Sequence, residues 1–415
     1  MKKKIAFIVQ RYGLEVNGGA EYHCRILAEH LADDYDVEVL TSCAKNYLTW
    51  ADEYPEGETI VNGIPVKRFP SNTIRDWKRF RSLTRKLKKR KPYQKVLRFL
   101  GLLPFYERIL PEKVTEEDNE KWVKWQGPYI PGLVHYLENN HSGYDALIFF
   151  TYLYYPTIFG IRVAPEKSIL VPTAHDEPPI YFPLFRKFFE MPKAIIYNTA
   201  SEKNFVNRLF GNEAIYSDIA GVGIEAHEPA QHLSPWELIG SNSDYLIYIG
   251  RVDGGKGCQI MFNHFLRYKK EYAGNIKLVL VGQAFMKIPS HPDIVTMGFA
   301  EEDVKINLLK GALASVMPSF YESLSMVTLE SMAYGIPVIV NGHCEVLNDH
   351  INASKAGYSY YNYTEFASAV NKLNDSNQTR TVLAERARLY VKNNYTWPVV
   401  KEKFNNAINY ITESN

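Results

Sequence analysis

Cysteine is scarce in this chain. Cys24, Cys43, Cys258 and Cys344 are the only four in 415 residues, and they lie far apart without metal-ligand spacing. That excludes a disulfide-built fold and a structural zinc site, and it fits reduced thiols in a cytosolic protein. Long apolar runs are missing as well. No stretch reaches the roughly 18 residues of a membrane span, and Met1-Lys2-Lys3-Lys4 leads into only about five apolar positions before Gln10 and Arg11. Neither a signal peptide nor a transmembrane helix is therefore expected. There is little excess of one charge: the formal net charge of +2 argues against a bulk nucleic-acid binder. What is present is 46% hydrophobic and 23% charged residues, enough to fill two or three domains with ordinary cores.

The apolar residues are arranged in a repeating order. An apolar run at residues 5–9 precedes a small-residue loop at 16–20, helical spacing at Tyr22, Ile26, Leu27 and Leu31, and a second apolar run at 37–41. Further buried-strand candidates at 146–150, 168–171 and 194–197 predict a parallel sheet covered on both faces. A second series runs through 245–249, 277–281, 314–317 and 337–340, separated from the first by a polar, proline-containing stretch at 226–243. The pattern predicts an α/β chain of two doubly wound domains in tandem, with the cleft between them as the default ligand site. Thr396 is placed to cap a last helix carrying Trp397, Val400, Phe404, Ile408 and Ile411 on one face.

One segment breaks the rhythm. Residues 78–98 hold eleven Lys or Arg and no acid, interleaved with Phe80, Leu83, Leu87, Tyr93, Val96 and Leu97, with Pro92 expected to end or kink the helix. An apolar stretch at 99–105 and an acidic one at 107–120 follow. Two readings stay open: a solvated helical insertion, or a basic amphipathic surface for anionic lipid or an anionic acceptor.

Three motifs offer chemistry. Residues 318–337 follow an apolar strand and open a short helix, so their free amides and helix dipole favour a phosphate. Glu322 in the loop and Glu330 about one turn into the helix suit pairs of sugar hydroxyls, although two solvated glutamates near a helix start would look the same. Gly250-Arg251-Val252-Asp253-Gly254-Gly255-Lys256-Gly257 directly follows a strand, with Arg251 and Lys256 as fixed cations for a diphosphate. It nearly spells a Walker A loop, but Gly257 stands where a magnesium-binding hydroxyl belongs. In the first half, Gly18-Gly19-Ala20-Glu21 opens the first helix, and His175 with Asp176 and Glu177 follows a strand. His175 reads equally as a structural or a functional histidine. Asp34-Tyr35-Asp36 matches the D-x-D string of metal-dependent sugar transferases, yet it falls in a turn on the wrong side of the sheet. Tyr152, Tyr154 and Tyr155, at a strand end, are candidates to stack on a sugar.

In this order (Gly18-Gly19-Ala20-Glu21, His175-Asp176, Gly221-Val222-Gly223-Ile224-Glu225, Gly250-Arg251 to Lys256-Gly257, Gly298-Phe299, Pro318-Ser319 with Glu322 and Glu330) the chain resembles the retaining family-four glycosyltransferases of the GT-B fold. The resemblance implies two Rossmann-like domains, residues 1–222 binding acceptor with a basic insertion at about 75–125, and 223–395 binding a nucleotide sugar. A helix over 396–415 would cross back onto the first domain. It further implies that Arg251 and Lys256 hold the donor diphosphate, Glu330 accepts from the ribose, and Glu322 contacts the transferred sugar. Leu324, Ser325, Met326 and Val327 would present amides to sugar and phosphate, with Gly18 and Gly19 opposite. His175 would lie near the sugar, and Gly298, with Gln283, near the base. Ser325 departs from the glycine that the family often has there.

The function so implied is metal-independent, retaining transfer of a hexosyl group from a UDP, GDP or ADP sugar to a hydroxyl of a glycan or lipid-linked acceptor, in polysaccharide or glycolipid synthesis, with no cofactor. With no enzymatic nucleophile evident, front-face attack by the acceptor hydroxyl is the expected mechanism. A nucleotide-sugar epimerase of the same fold and a non-catalytic scaffold subunit are the alternatives. A Rossmann dehydrogenase is excluded, because Gly13 and Gly18-Gly19 do not supply G-x-G-x-x-G. The expected location is cytoplasmic, peripheral at the inner face of the plasma membrane.

Overall fold

The computed structural model describes residues 2–16, 18–87, 97, 100, 102 and 115–413. The chain divides into two compact units, Met1–Gly221 with Lys401–Asn415, and Val222–Val400.

The first unit is built on eight strands: β1 (Lys4–Ile8), β2 (Asp36–Ser42), β3 (Gly57–Val61), β4 (Ile64–Phe69), β5 (Ala146–Phe150), β6 (Ser168–Val171), β7 (Ala194–Tyr197) and β8 (Tyr216–Ile219). Their order is β3-β4-β2-β1-β5-β6-β7-β8. All neighbours are parallel except β3 and β4. That antiparallel hairpin turns at Asn62-Gly63, both with positive φ (47° and 81°), the geometry that a tight two-residue turn demands of Asn-Gly. The central strands are apolar throughout because helices cover both faces: every residue of β5, β6 and β7 is buried.

The second unit has six parallel strands: β9 (Tyr245–Ile249), β10 (Lys277–Val281), β11 (Ile294–Gly298), β12 (Ala314–Met317), β13 (Val338–Asn341) and β14 (Gly357–Tyr360). They are ordered β11-β10-β9-β12-β13-β14, the doubly wound 3-2-1-4-5-6 arrangement. Leu246 and Tyr248 pack into one core and Tyr245, Ile247 and Ile249 into another, so β9 feeds both faces of its sheet. In such a sheet the neighbours β9 and β12 lead off in opposite directions, and a crevice opens at their carboxyl ends.

The last helix, Trp397–Glu413, begins in the second unit and continues in the first. Val400, Phe404, Ile408 and Ile411 are fully buried, the face that their helical spacing predicts. In the first unit it is fixed by Lys3 on Asn409 and Thr412, by Tyr35 on Asn405 and by stacking of Tyr216 on Tyr410. Lys401 meets Asp34 at 2.8 Å and Asp33 at 3.2 Å. The D-x-D string thus anchors this helix. At its start Gly223 lies against the Trp397 ring, where a Cβ would come within 2.2 Å.

The four cysteines are free and buried. Among the described residues no helix is long and apolar enough to cross a membrane. Of the basic run, Lys78 to Leu87 and Leu97 are described; residues 88–96, including the expected kink at Pro92, and residue 98 lie outside the described set. The helix Trp77–Leu87 buries Leu87 and packs Phe80 and Leu83 on the core.

Candidate active site

The carboxyl ends of β9 and β12 bring together the residues of two separate motifs. Gly250 leaves β9 at φ 143° and Gly257 sits at φ 74°, so the loop between them folds back tightly. A side chain at Gly257 would place its Cβ 2.2 Å from the Pro318 carbonyl oxygen, which makes glycine a requirement of the contact between the two loops. Asp253 organises the turn, its carboxylate accepting from the Lys256 amide at 2.8 Å and lying 3.7 Å from Arg251 Nε. Lys256 Nζ reaches across to Glu322 Oε1 at 2.7 Å. Glu322 is 12% exposed, whereas the Arg251 side chain is 58% exposed. One cation is therefore held by the glutamate loop and the other projects into solvent, within reach of an anion bound in the crevice.

The glutamate loop enters the helix Met326–Ala333 through Ser325, whose φ is 61°. A non-glycine residue in this left-handed conformation costs roughly 1–2 kcal/mol, which explains why glycine is the residue expected at this position. Ser325 Oγ lies 2.8 Å from Thr328 Oγ1 at the first turn of the helix. Leu324 is buried beneath the loop, and Met326 and Val327 begin the helix, where amide groups have no partners along the helix itself.

Glu330, in the second turn of that helix, meets Lys305 Nζ at 3.3 Å. Lys305, in the helix Glu302–Lys310, also holds Glu302 at 2.8 Å. Burial pushes the Glu330 carboxyl above the usual glutamate range, against the opposing pull of the Lys305 ammonium. The same carboxylates raise Lys305 despite its own burial. Lys305 thus holds beside Glu330 the positive charge that favours its ionised form. Sequence reasoning missed it because the pair is separated by 25 residues. Gly298 closes β11 with φ 67° and is exposed, its carbonyl accepting from the Gly282 amide at 2.6 Å.

Gly18, Gly19 and His175 belong to the first unit. Gly18 precedes the helix Gly19–Leu31 in extended backbone, and a Cβ there would lie 2.1 Å from Glu21 Oε2. Glu21 is in turn ion-paired to buried Arg11. An anion at this helix start would share it with that carboxylate. His175 follows β6 through Thr173, a β-branched residue at φ 50°, and Thr151 after β5 has φ 62°. Such outliers concentrate at functional loops. His175 Nε2 is 3.8 Å from Glu177 Oε2, and Glu177 Oε1 accepts from Tyr152 at 2.7 Å. Tyr152 and Tyr155 are 1% and 8% exposed, so as members of the core they are not free to stack on a sugar; Tyr154 sits edge-on to Trp50.

Glu202 was not anticipated as a site residue. It is fully buried, its carboxylate accepts from the Ala174 and Asn198 amides, and burial pushes its pKa up to about 8. It ties the start of the helix Ala200–Phe210 to the loop carrying His175. A signal was present, since Thr199-Ala200-Ser201-Glu202 is a capping-box string and the Thr199 hydroxyl does accept from the Glu202 amide. Among the described residues no group of three or more His, Cys, Asp or Glu is placed to hold a metal ion.

Residues 234–390 match the family described as Glycosyl transferases group 1. An uncharacterised glycosyltransferase of Methanocaldococcus jannaschii is 27% identical over 175 residues, which cover 39% of this chain and 43% of that protein. Among solved structures, the sucrose-phosphate synthase of Thermosynechococcus elongatus superposes with a TM-score of 0.68 at 14% identity, covering 100% of both chains. Anabaena HepE in complex with UDP and glucose gives 0.64 at 14% identity over 98% of this chain and 99% of that one. The E. coli trehalose-6-phosphate structure bound with UDP-2-fluoro glucose gives 0.66 at 12% identity, again over 98% and 99%. The family match lies within the second unit, and the chain has the tandem Rossmann-like GT-B fold of these solved structures.

Proposed function

We propose that the protein is a retaining, metal-independent glycosyltransferase that moves a hexosyl group from a nucleotide-diphosphate sugar to a hydroxyl of a glycan or lipid-linked acceptor. The observation that carries this reading is the meeting of Arg251, Lys256 and Glu322 where β9 and β12 part, beside the start of the helix Met326–Ala333. In it, Arg251, Lys256 and the amides of Met326 and Val327 hold the diphosphate and offset the charge that grows on it as the glycosidic bond breaks. Glu330 accepts from the ribose hydroxyls and Glu322 from the sugar. Gly298 approaches the base; the first unit, which holds Gly18, Gly19 and His175, takes the acceptor. The acceptor hydroxyl attacks from the face the diphosphate leaves, and a phosphate oxygen takes its proton.

UDP is the first nucleotide to test, because HepE and the E. coli protein are bound to UDP or a UDP sugar. Calorimetry with UDP, GDP and ADP, followed by product analysis with the matching sugars, tests the reading. Donor consumed in step with glycosylated acceptor supports transfer. Epimerised donor without acceptor product would establish the isomerase alternative, and binding of none would leave the scaffold. An inverted anomeric configuration by NMR would rule out retention.

The reading places the enzyme at the cytoplasmic face of the plasma membrane, in polysaccharide or glycolipid synthesis. Its support is the helix Trp77–Leu87, which exposes Lys78, Arg79, Arg81, Arg85 and Lys86 beside exposed Ile74 and Trp77. Sedimentation with anionic liposomes should fall sharply when the 78–98 charges are neutralised; unchanged binding would remove the membrane from the proposal.

A further inference from the structure

Beneath the glutamate loop lies a histidine that the proposed chemistry does not use. His350, in the helix Glu345–Ser354, is 1% exposed. Its Nε2 is 2.8 Å from the Leu324 carbonyl oxygen and its Nδ1 is 3.0 Å from the Tyr390 hydroxyl. Burial lowers its pKa, so the ring is neutral and each nitrogen has one role. Only one tautomer satisfies both neighbours: Nε2–H donates to Leu324, and Nδ1 accepts from Tyr390. The Tyr390 and Tyr395 hydroxyls lie 3.4 Å apart, and the Tyr395 carbonyl accepts from the Ile224 amide at 2.6 Å. The imidazole is therefore held on its other side by Tyr390 and, edge-on, by Tyr395.

The carbonyl that His350 holds belongs to the residue immediately before Ser325, and Ser325 is the one residue of the loop in the left-handed conformation. That conformation turns the chain into the helix Met326–Ala333 and so sets where the first amides of that helix point. Serine does not choose it unaided.

We propose that His350 is a positioning residue for the donor site: by clamping the Leu324 carbonyl it keeps Ser325 left-handed and the Met326 and Val327 amides aimed at the diphosphate. The functional part of this inference rests on the donor assignment above; the clamp itself does not. A glycine at 325 would adopt this turn without a clamp, which yields a direct test.

The experiment is a double-mutant cycle of His350→Leu and Ser325→Gly, read by melting temperature and by calorimetric Kd for whichever of UDP, GDP and ADP the native protein binds most tightly. In the native background His350→Leu should raise Kd about tenfold, equivalent to about 1.4 kcal/mol. In the Ser325→Gly background the same change should raise it less than about twofold, within the usual error of additivity. The loss of melting temperature should shrink in the same way. Equal losses in the two backgrounds, in Kd and in melting temperature, overturn the proposal, because a histidine that merely fills the core would not be rescued by a glycine at 325. If none of the three nucleotides binds the native protein, the donor assignment fails and the clamp is judged on melting temperature alone. Should His350→Leu not fold in either background, Tyr390→Phe, which removes the hydroxyl that fixes the tautomer, goes through the same cycle under the same criterion.

Discussion

Each unit has an arginine just beyond the first strand of its sheet, next to the strand where the winding reverses, and the two have opposite fates. Arg11 follows β1 and is 6% exposed, paired with Glu21, bonded to the Lys45 carbonyl and packed against Tyr47 and Trp50. Arg251 follows β9 and is 58% exposed, with Asp253 at 3.7 Å. A buried ion pair whose geometry is complete has little left to offer a ligand, and losing half of it is costly. A half-exposed guanidinium is hydrated and able to trade water for a phosphate. A buried glutamate in the first unit and a half-buried one in the second differ similarly. Glu202 in the first unit is held by backbone amides and rises to about 8, whereas Glu330 in the second has Lys305 opposing its rise. The first unit locks Arg11 inside its core; the second leaves Arg251 facing water.

This contrast can be broken or sharpened by measurement. The largest effect is expected from Arg11→Ala, which leaves Glu21 buried without its cation and should cost about 3–5 kcal/mol in urea unfolding. A loss under 1 kcal/mol would mean that the first-unit arginine is as free as the second. Arg251→Ala should lower turnover about 10²- to 10³-fold, the usual result of removing one electrostatic contact to a leaving group, with melting temperature nearly unchanged. A large fall in melting temperature with modest loss of activity would reverse the two assignments.

The carboxylates supply a third test. The folded pKa of Glu202, about 8, lies above the ordinary glutamate value of 4.5, so the folded state binds the extra proton between them. Its stabilising contribution is full below about 4.5 and is lost as pH rises through about 8. Melting temperature of the native protein should fall across that window, and Glu202→Gln should flatten the fall. Glu330→Gln should flatten a slope of the same sign, and a smaller one, because Lys305 opposes the rise; a larger change than for Glu202→Gln would show that Lys305 does not hold the ionised form. The smallest effect belongs to Lys401→Ala on the C-terminal helix, at most about 1 kcal/mol because the Asp33 and Asp34 partners are exposed.

Much of the architecture was legible in the chain. The strands buried on both faces announced themselves as apolar runs, and the observed β5, β6, β7, β9, β10 and β12 coincide with them. Four of the strands passed over, β3, β8, β11 and β14, lie at the edges of their sheets. β8 and β11 have no buried residue and β14 has one, so they lack the run that betrays a covered strand. The β3–β4 hairpin was readable from Asn62-Gly63 between alternating residues and was overlooked. At the site, glycine spacing and charged residue types marked Arg251, Lys256, Glu322 and Glu330 because strand, loop and helix follow one another locally. Lys305, Glu202 and His350 were not recognised, since each acts on a group that is distant in sequence or through a backbone atom without a residue-type signature.

Local chemistry alone therefore defined two α/β halves and the succession of their apolar strands, and marked Arg251, Lys256, Glu322 and Glu330 as candidates to meet a ligand. Which of two equivalent arginines is locked in the core and which is left half exposed, and which glutamate has a lysine beside it, was settled by folding. These depend on which distant side chains a sheet brings within about 3 Å and how far water is shut out, because both charge–charge energy and desolvation change steeply over that distance.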